Sequence, residues 1–219
     1  MLPVLYGMIL LTAFFPTTPE RAEELEGCLK HNLQQPFLSW VILLCEGGAK
    51  PSFSHPALIL VDMPHRMVYG DFFQYANQFH SGHICVVSNA DVMFDSSLAQ
   101  FRQLSAERWE NRLFAITRTN EDGQLQNTGS QDTWVFQAPI KHFDGWTIIP
   151  GIVGCDSFLV QKASEAGFTV ENPALSVRCA HRHRVGVRND MLSVEGSDKK
   201  TCYWWTSGYR GYCVPYTTL

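Results

Sequence analysis

Two polar side chains, Asn89 and Asp91, follow an unbroken apolar run in HICVVSNADVMFDSSL (83–98). A hard divalent cation takes oxygen ligands, and a carboxylate at the end of a buried strand supplies one without blocking access. A plain turn accounts for the same residues, with Asp95 or Ser96 capping the segment that follows. Further on, CAHRHRVGVR places His181 and His183 two residues apart. In an extended segment they face the same way, and one of them can complete a site begun by Asp91, because imidazole suits Mn-type ions as well as Zn. Arg182, Arg184 and Arg188 suit phosphate oxygens. The plain alternative is a solvated basic loop.

Two further carboxylates stand at element boundaries. Asp156 opens GCDSFLVQKASEAGF, where it can cap a helix or, at a cleft edge, act as a general base. Asp132 in GSQDTWVF falls at a strand's beginning or on a loop edge. It is either an ordinary loop-terminal Asp or a contact to sugar hydroxyls with Trp134 close by. The tail aromatics Tyr203, Trp204, Trp205, Tyr209, Tyr212 and Tyr216 can form a lid, stack on a sugar ring, or cover a sheet edge.

The elements that must position these groups alternate. An apolar strand over 6–15 is followed by a helix with Thr17 or Thr18 as cap, Pro19 in the first turn, and a stripe of Leu25, Cys28, Leu29 and Leu33. Pro36 closes it. Buried strands follow over 39–48 and 57–66, with a short amphipathic helix over 69–79. The strand of the opening stretch leads to a helix over 96–105, a strand over 112–118, a polar loop over 120–129 and a strand over 133–140. A helix capped by Asp156 or Ser157 runs to about Glu165, and Gly167 closes it. Long apolar strands alternating with helices predict an α/β domain with a mixed, mostly parallel central sheet and helices on both faces.

Bulk numbers narrow the function class. The 219 residues carry 45% hydrophobic and 17% charged side chains and a net charge of −4, so no nucleic-acid partner is expected. Seven cysteines, Cys28, Cys45, Cys85, Cys155, Cys179, Cys202 and Cys213, form no CxxC pair. The expectation is a reducing compartment with no disulfide framework and no structural zinc. The apolar start MLPVLYGMILLTAFF lacks a basic leading region and is too short for a membrane span, so it reads as a buried strand rather than a signal peptide. A soluble, cytoplasmic chain or a domain of a larger protein is expected.

Taken in order, these pieces resemble the GT-A-fold glycosyltransferases, which use nucleotide sugars. VVSNADVMFDSSL is similar to the metal-motif strand of that fold, with the usual DxD present as Asn89-Ala90-Asp91. GCDSFLVQKASEAGF is similar to the ED…R…AGY segment of the large inverting family 2, with Cys155 where the Glu stands and no evident downstream Arg. TAFFPTTPERAEELEGCL looks like the nucleotide-binding start, and the resemblance spans about residues 5–185.

The resemblance implies one transferase domain, with a nucleotide-binding half over about 1–100, an acceptor and sugar half over about 101–190, and an aromatic-rich tail over 191–219. It implies a nucleotide near Thr12, Ala13, Phe14 and Glu46, bordered by Arg66 and the 69–79 helix. Asn89 and Ala90 would meet the nucleotide, and Asp91 with His181 or His183 would hold Mn²⁺ or Mg²⁺. Asp156 would be the acceptor-activating base, with Asp132 as second choice. The donor would be a UDP-linked sugar and the acceptor a hydroxyl, most naturally on a glycan. Two rival classes stand beside this one: a metal-dependent phosphohydrolase or nucleotidyltransferase, which would also use Asp91 and the histidines, and a non-catalytic carbohydrate-binding domain of the same fold, which would not depend on them.

Overall fold

A computed structural model describes residues 7–184 and 210–219. In chain order the elements are β1 (Met8–Phe14), α1 (Pro19–Leu33), β2 (Leu38–Glu46), β3 (Leu58–Met63), α2 (Tyr69–Phe79), β4 (Ile84–Ser88), β5 (Val92–Phe94), β6 (Arg112–Thr117), β7 (Gln131–Gln137), α3 (Cys155–Glu165), β8 (Thr169–Glu171) and β9 (Cys179–His181). Short 3₁₀ segments cover Ser96–Gln103, Ala106–Trp109 and Asp144–Thr147.

Seven strands form one sheet in the order β3-β2-β1-β4-β7-β6-β8, and β5 pairs with β9 apart from it. Only β7 runs against the others in the large sheet, antiparallel to both β4 and β6. Alternation along β1 divides the core. Ile9 and Leu11 pack with Tyr69, Phe73 and Leu159 from α2 and α3 on one face. Met8 and Leu10 pack with Leu25 and Leu29 of α1 on the other. The mostly parallel α/β sheet with helices on both faces is therefore as the apolar runs predict. No helix among the described residues is long and apolar enough to cross a membrane.

Two local expectations need correction. The 96–105 helix is a 3₁₀ segment over Ser96–Gln103, because it buries only Leu98 and Phe101, and a spacing of three suits three residues per turn. The cap of α3 is Gly154, whose φ of 84° is left-handed and costs glycine little, so Asp156 sits inside the first turn. Asp132 is the second residue of β7, so of the two places the sequence allows it takes the strand's beginning, just after Gln131, which pairs with Thr117 of β6. The Tyr203, Trp204, Trp205, Tyr209 and Arg188 readings fall outside the described residues.

Helix α1 does more than cover the sheet. Asn32, buried on its inner side, donates to the Val92 carbonyl at 2.8 Å and accepts from the Phe94 amide at 3.0 Å. This side chain pins β5, and with it the preceding Asp91, to α1. Asn32→Ala leaves both β5 groups unpaired and should cost about 1–3 kcal/mol, read from urea unfolding curves. An unchanged midpoint would show that β5 does not depend on this clamp.

Candidate active site

The chain passes from β1 outward to β2 and β3, then crosses back to place β4 on the other side of β1. Such a reversal opens a crevice beyond the carboxyl ends of the two strands. Here β4 stays in register with β1 only as far as the Leu11–Val87 pair, while β1 continues along β2 to Phe14–Cys45. A cleft of about 580 Å³ opens at that point. Its walls include Ala13, Phe15, Arg21, Glu46, Arg66, Asn89, Asp91, Asp132, Asp156, His181 and His183.

Asp91 is held at one end of the cleft between two backbones. Its carbonyl accepts from the Arg182 amide at 2.7 Å. Across the small sheet, Val92 pairs with His181 in antiparallel register. His181 at the end of β9 and His183 just beyond it both reach Asp91. His181 Nε2 lies 3.2 Å and His183 Nδ1 3.3 Å from Asp91 Oδ2. The rings stack at 5.7 Å between centroids and 20°. One ligand atom from each of the three residues falls within 4.8 Å of the others, so the donor set fits a single divalent ion. Arg21 reaches the same oxygen from α1, its Nη2 2.5 Å from Asp91 Oδ2. Burial works to raise the Asp91 carboxyl, but the hydrogen bonds to His181 and His183 and the nearby cations outweigh it and hold the group far below the usual range.

Two more carboxylates, Asp132 and Asp156, line the same cleft. Asp132 is buried, with one oxygen accepting from Asn89 Nδ2 at 2.9 Å and the other from Arg118 Nη1 at 3.2 Å. Burial raises its carboxyl even against the pull of Arg118. Asp156 stands in the first turn of α3 after the loop Pro150–Gly154, where Gly151 and Gly154 both adopt positive φ. Burial pushes its carboxyl up to about 7, the negative Asp132 adds to the rise, and the amides of Ser157 and Asp156 oppose it. A carboxyl poised there can exchange a proton near neutral pH.

Most residues singled out from the sequence come together in this cleft. Ala13, Glu46, Arg66, Asn89, Ala90, Asp91, Asp132, Asp156, His181 and His183 all line it. Thr12 and Phe14 do not. Side chains alternate along β1, so Ala13 and Phe15 face the cleft while Thr12 donates to the Ser88 carbonyl at 2.9 Å and Phe14 is buried in the core. Glu46 accepts from Arg66 Nη1 at 3.3 Å, so those two enter as a pair. Trp134 is fully buried against Tyr69, edge to face at 4.7 Å. Arg21 and Arg118 were missed. Arg21 lies four residues before Leu25 and seven before Cys28, so a cation on the apolar stripe of α1 is the signal that could have found it. Arg118 merely ends an apolar run, which gives no signal.

No family model matches the sequence, and no curated protein matches it. Among solved structures, the chain is similar to a mannosyltransferase from Pyrobaculum calidifontis in complex with GDP-Man and Mn²⁺, with a TM-score of 0.56 and 15% identity over 83% of this chain. The match spans 59% of that mannosyltransferase. More distant matches are an inositol-1-phosphate CTP transferase from T. maritima, at a TM-score of 0.46 and 9% identity, and a 2-C-methyl-D-erythritol 4-phosphate cytidylyltransferase from Francisella tularensis, at 0.39 and 11%. The seven-stranded sheet and its likeness to the mannosyltransferase together show a GT-A-like α/β fold.

Proposed function

We propose that this chain is a metal-dependent glycosyltransferase that moves a sugar from a nucleoside-diphosphate sugar to a hydroxyl acceptor. The observation that carries the reading is the convergence on one switch-point cleft of a three-residue ion seat, Asp91, His181 and His183, and a carboxyl, Asp156, pushed up to about 7. Transfer needs two things at once: relief of negative charge on the departing diphosphate, and removal of a proton from the attacking hydroxyl. The cleft offers both.

Asp91, His181 and His183 would hold the ion. Two imidazoles and one carboxylate oxygen suit Mn²⁺ better than Mg²⁺, which prefers oxygen throughout. When bound, such an ion supplies Lewis-acid stabilisation to the leaving diphosphate. Asn89, bonded to Asp132, presents a neutral amide next to the ion seat where a ribose hydroxyl can be met without adding charge. Ala13, Phe15 and the Glu46–Arg66 pair border the nucleotide side. Asp156 takes the acceptor's proton. Asp132 is the poorer base, because both its oxygens are already engaged by Asn89 and Arg118. Its role is to hold Asn89 and, by its charge, to raise Asp156. Asp132→Asn should thus shift the acid limb of the pH–rate profile downward, and an unmoved limb would show that the two carboxyls do not communicate.

The donor base is a matter for measurement. The resemblance in sequence points to a UDP-sugar, whereas the similar mannosyltransferase was solved with GDP-Man. A thermal-shift screen of UDP, GDP, CDP and ADP, with and without Mn²⁺, is the direct test. At least one diphosphate should raise the melting temperature only when Mn²⁺ is present. No shift with any nucleotide under any metal condition would sink the transferase reading.

A further inference from the structure

The ion seat already has a cation in it. Arg21 projects from the first turn of α1, is only 5% exposed, and shares Asp91 Oδ2 with both imidazoles. The same guanidinium bonds Glu24 one turn along the helix and reaches the Arg182 carbonyl at 3.5 Å. Glu24 in turn accepts from the Arg184 amide at 3.0 Å. Arg21 thus ties α1, the turn bearing Asp91 and the segment bearing His183 into one network. It also lines the cleft.

Two positive charges cannot share one carboxylate oxygen cheaply in a buried site. An ion entering between Asp91, His181 and His183 must weaken or displace the Arg21–Asp91 bond. A displaced guanidinium on the cleft wall, a few ångströms from that ion, would find its best new partner in the oxygens of a diphosphate. Resting on the reading of Asp91, His181 and His183 as the ion seat, we propose that Arg21 is an exchangeable resident cation: it holds Asp91 while the metal is away, and turns to the diphosphate when metal and diphosphate arrive together. Metal binding alone is then weak, and binding with the diphosphate is cooperative. A resident arginine also keeps the seat assembled between turnovers, since neither Asp91 nor the 181–184 segment is left without a partner.

The test is Mn²⁺ binding, read from the electron paramagnetic resonance signal of free Mn²⁺, with and without inorganic pyrophosphate. Arg21→Gln should bind Mn²⁺ alone about tenfold or more tightly than the wild-type chain, because the competing charge is gone. Pyrophosphate should tighten Mn²⁺ binding much less in this variant than in the wild type. Arg21→Lys keeps a buried charge but loses the fork that spans three partners, so it competes less well and should tighten Mn²⁺ binding severalfold. Equal or weaker Mn²⁺ binding in a folded Gln or Lys variant, checked by circular dichroism, overturns the proposal. Asp91→Asn in the Arg21→Gln background separates this from failure of the seat itself. If Mn²⁺ binding survives there unchanged, the ion lies elsewhere and both readings fall. If it is lost, the seat stands, and the Arg21 comparison alone decides the exchange.

Discussion

Asp156→Asn is expected to lower turnover by about 10²–10⁴-fold while leaving the fold and metal-dependent nucleotide binding in place. The amide fills the same volume at the start of α3 but cannot take a proton. The wild-type pH profile should carry the same signature. A base must be deprotonated, and burial with the charge of Asp132 pushes the Asp156 carboxyl up to about 7. Below that value kcat/KM should fall about tenfold per pH unit, and above it the profile should level off. Stability moves the opposite way. A carboxyl raised from its unfolded value of 3.8 binds more protons in the native chain, so its contribution declines as pH rises between that value and about 7. Asp156→Asn should flatten this slope. A turnover loss of less than threefold, or an acid limb near 4, would remove Asp156 from the proton transfer.

The second large effect belongs to Asp91. Asp91→Asn should abolish Mn²⁺-dependent nucleotide binding and lower turnover by about 10²–10³-fold. Asn is the informative choice. Asp91 is 7% exposed and faces the buried Arg21, so removing the side chain altogether would strand a buried guanidinium and risk several kcal/mol of stability. The amide oxygen of Asn can still accept from Arg21, His181 or His183, while the negative charge that holds an ion is gone. His181→Ala and His183→Ala should each weaken Mn²⁺ by about 10–100-fold, with the nucleotide effect following the metal effect. A binding-only scaffold of the same fold would show neither loss.

The central strands β1, β2 and β4 were legible because the sheet buries most of their residues on both faces. LLTAF, VILLCE and ICVVS leave no polar periodicity to confuse with a helix. Helix α2 was legible to its ends, because Phe72, Phe73 and Ala76 mark a stripe between the strand-ending Pro64 and Gly82. The 3₁₀ segment was not, since a burial spacing of three reads equally as part of a helical stripe. In the site, Asn89, Asp91 and Asp156 stood out by sitting at element ends. The spacing of two between His181 and His183 suggested their joint approach, but their meeting with Asp91 depended on the β5–β9 pairing, a contact between segments about 90 residues apart. The place of Arg21 is of the same kind. Its position on the apolar stripe hints at burial, yet nothing local says that its partner is Asp91, 70 residues away. Alternation along β1, by contrast, was available in the sequence and separates Ala13 from Thr12 and Phe14.

The most direct measurement is anomalous scattering at the manganese edge from crystals grown with Mn²⁺ and whichever nucleoside diphosphate stabilises the chain. The expected result is one manganese peak within about 2.5 Å of Asp91 and of both imidazoles, with the diphosphate oxygens completing its coordination. A manganese away from these residues, or two of them about 4 Å apart in the manner of a phosphohydrolase, would contradict it.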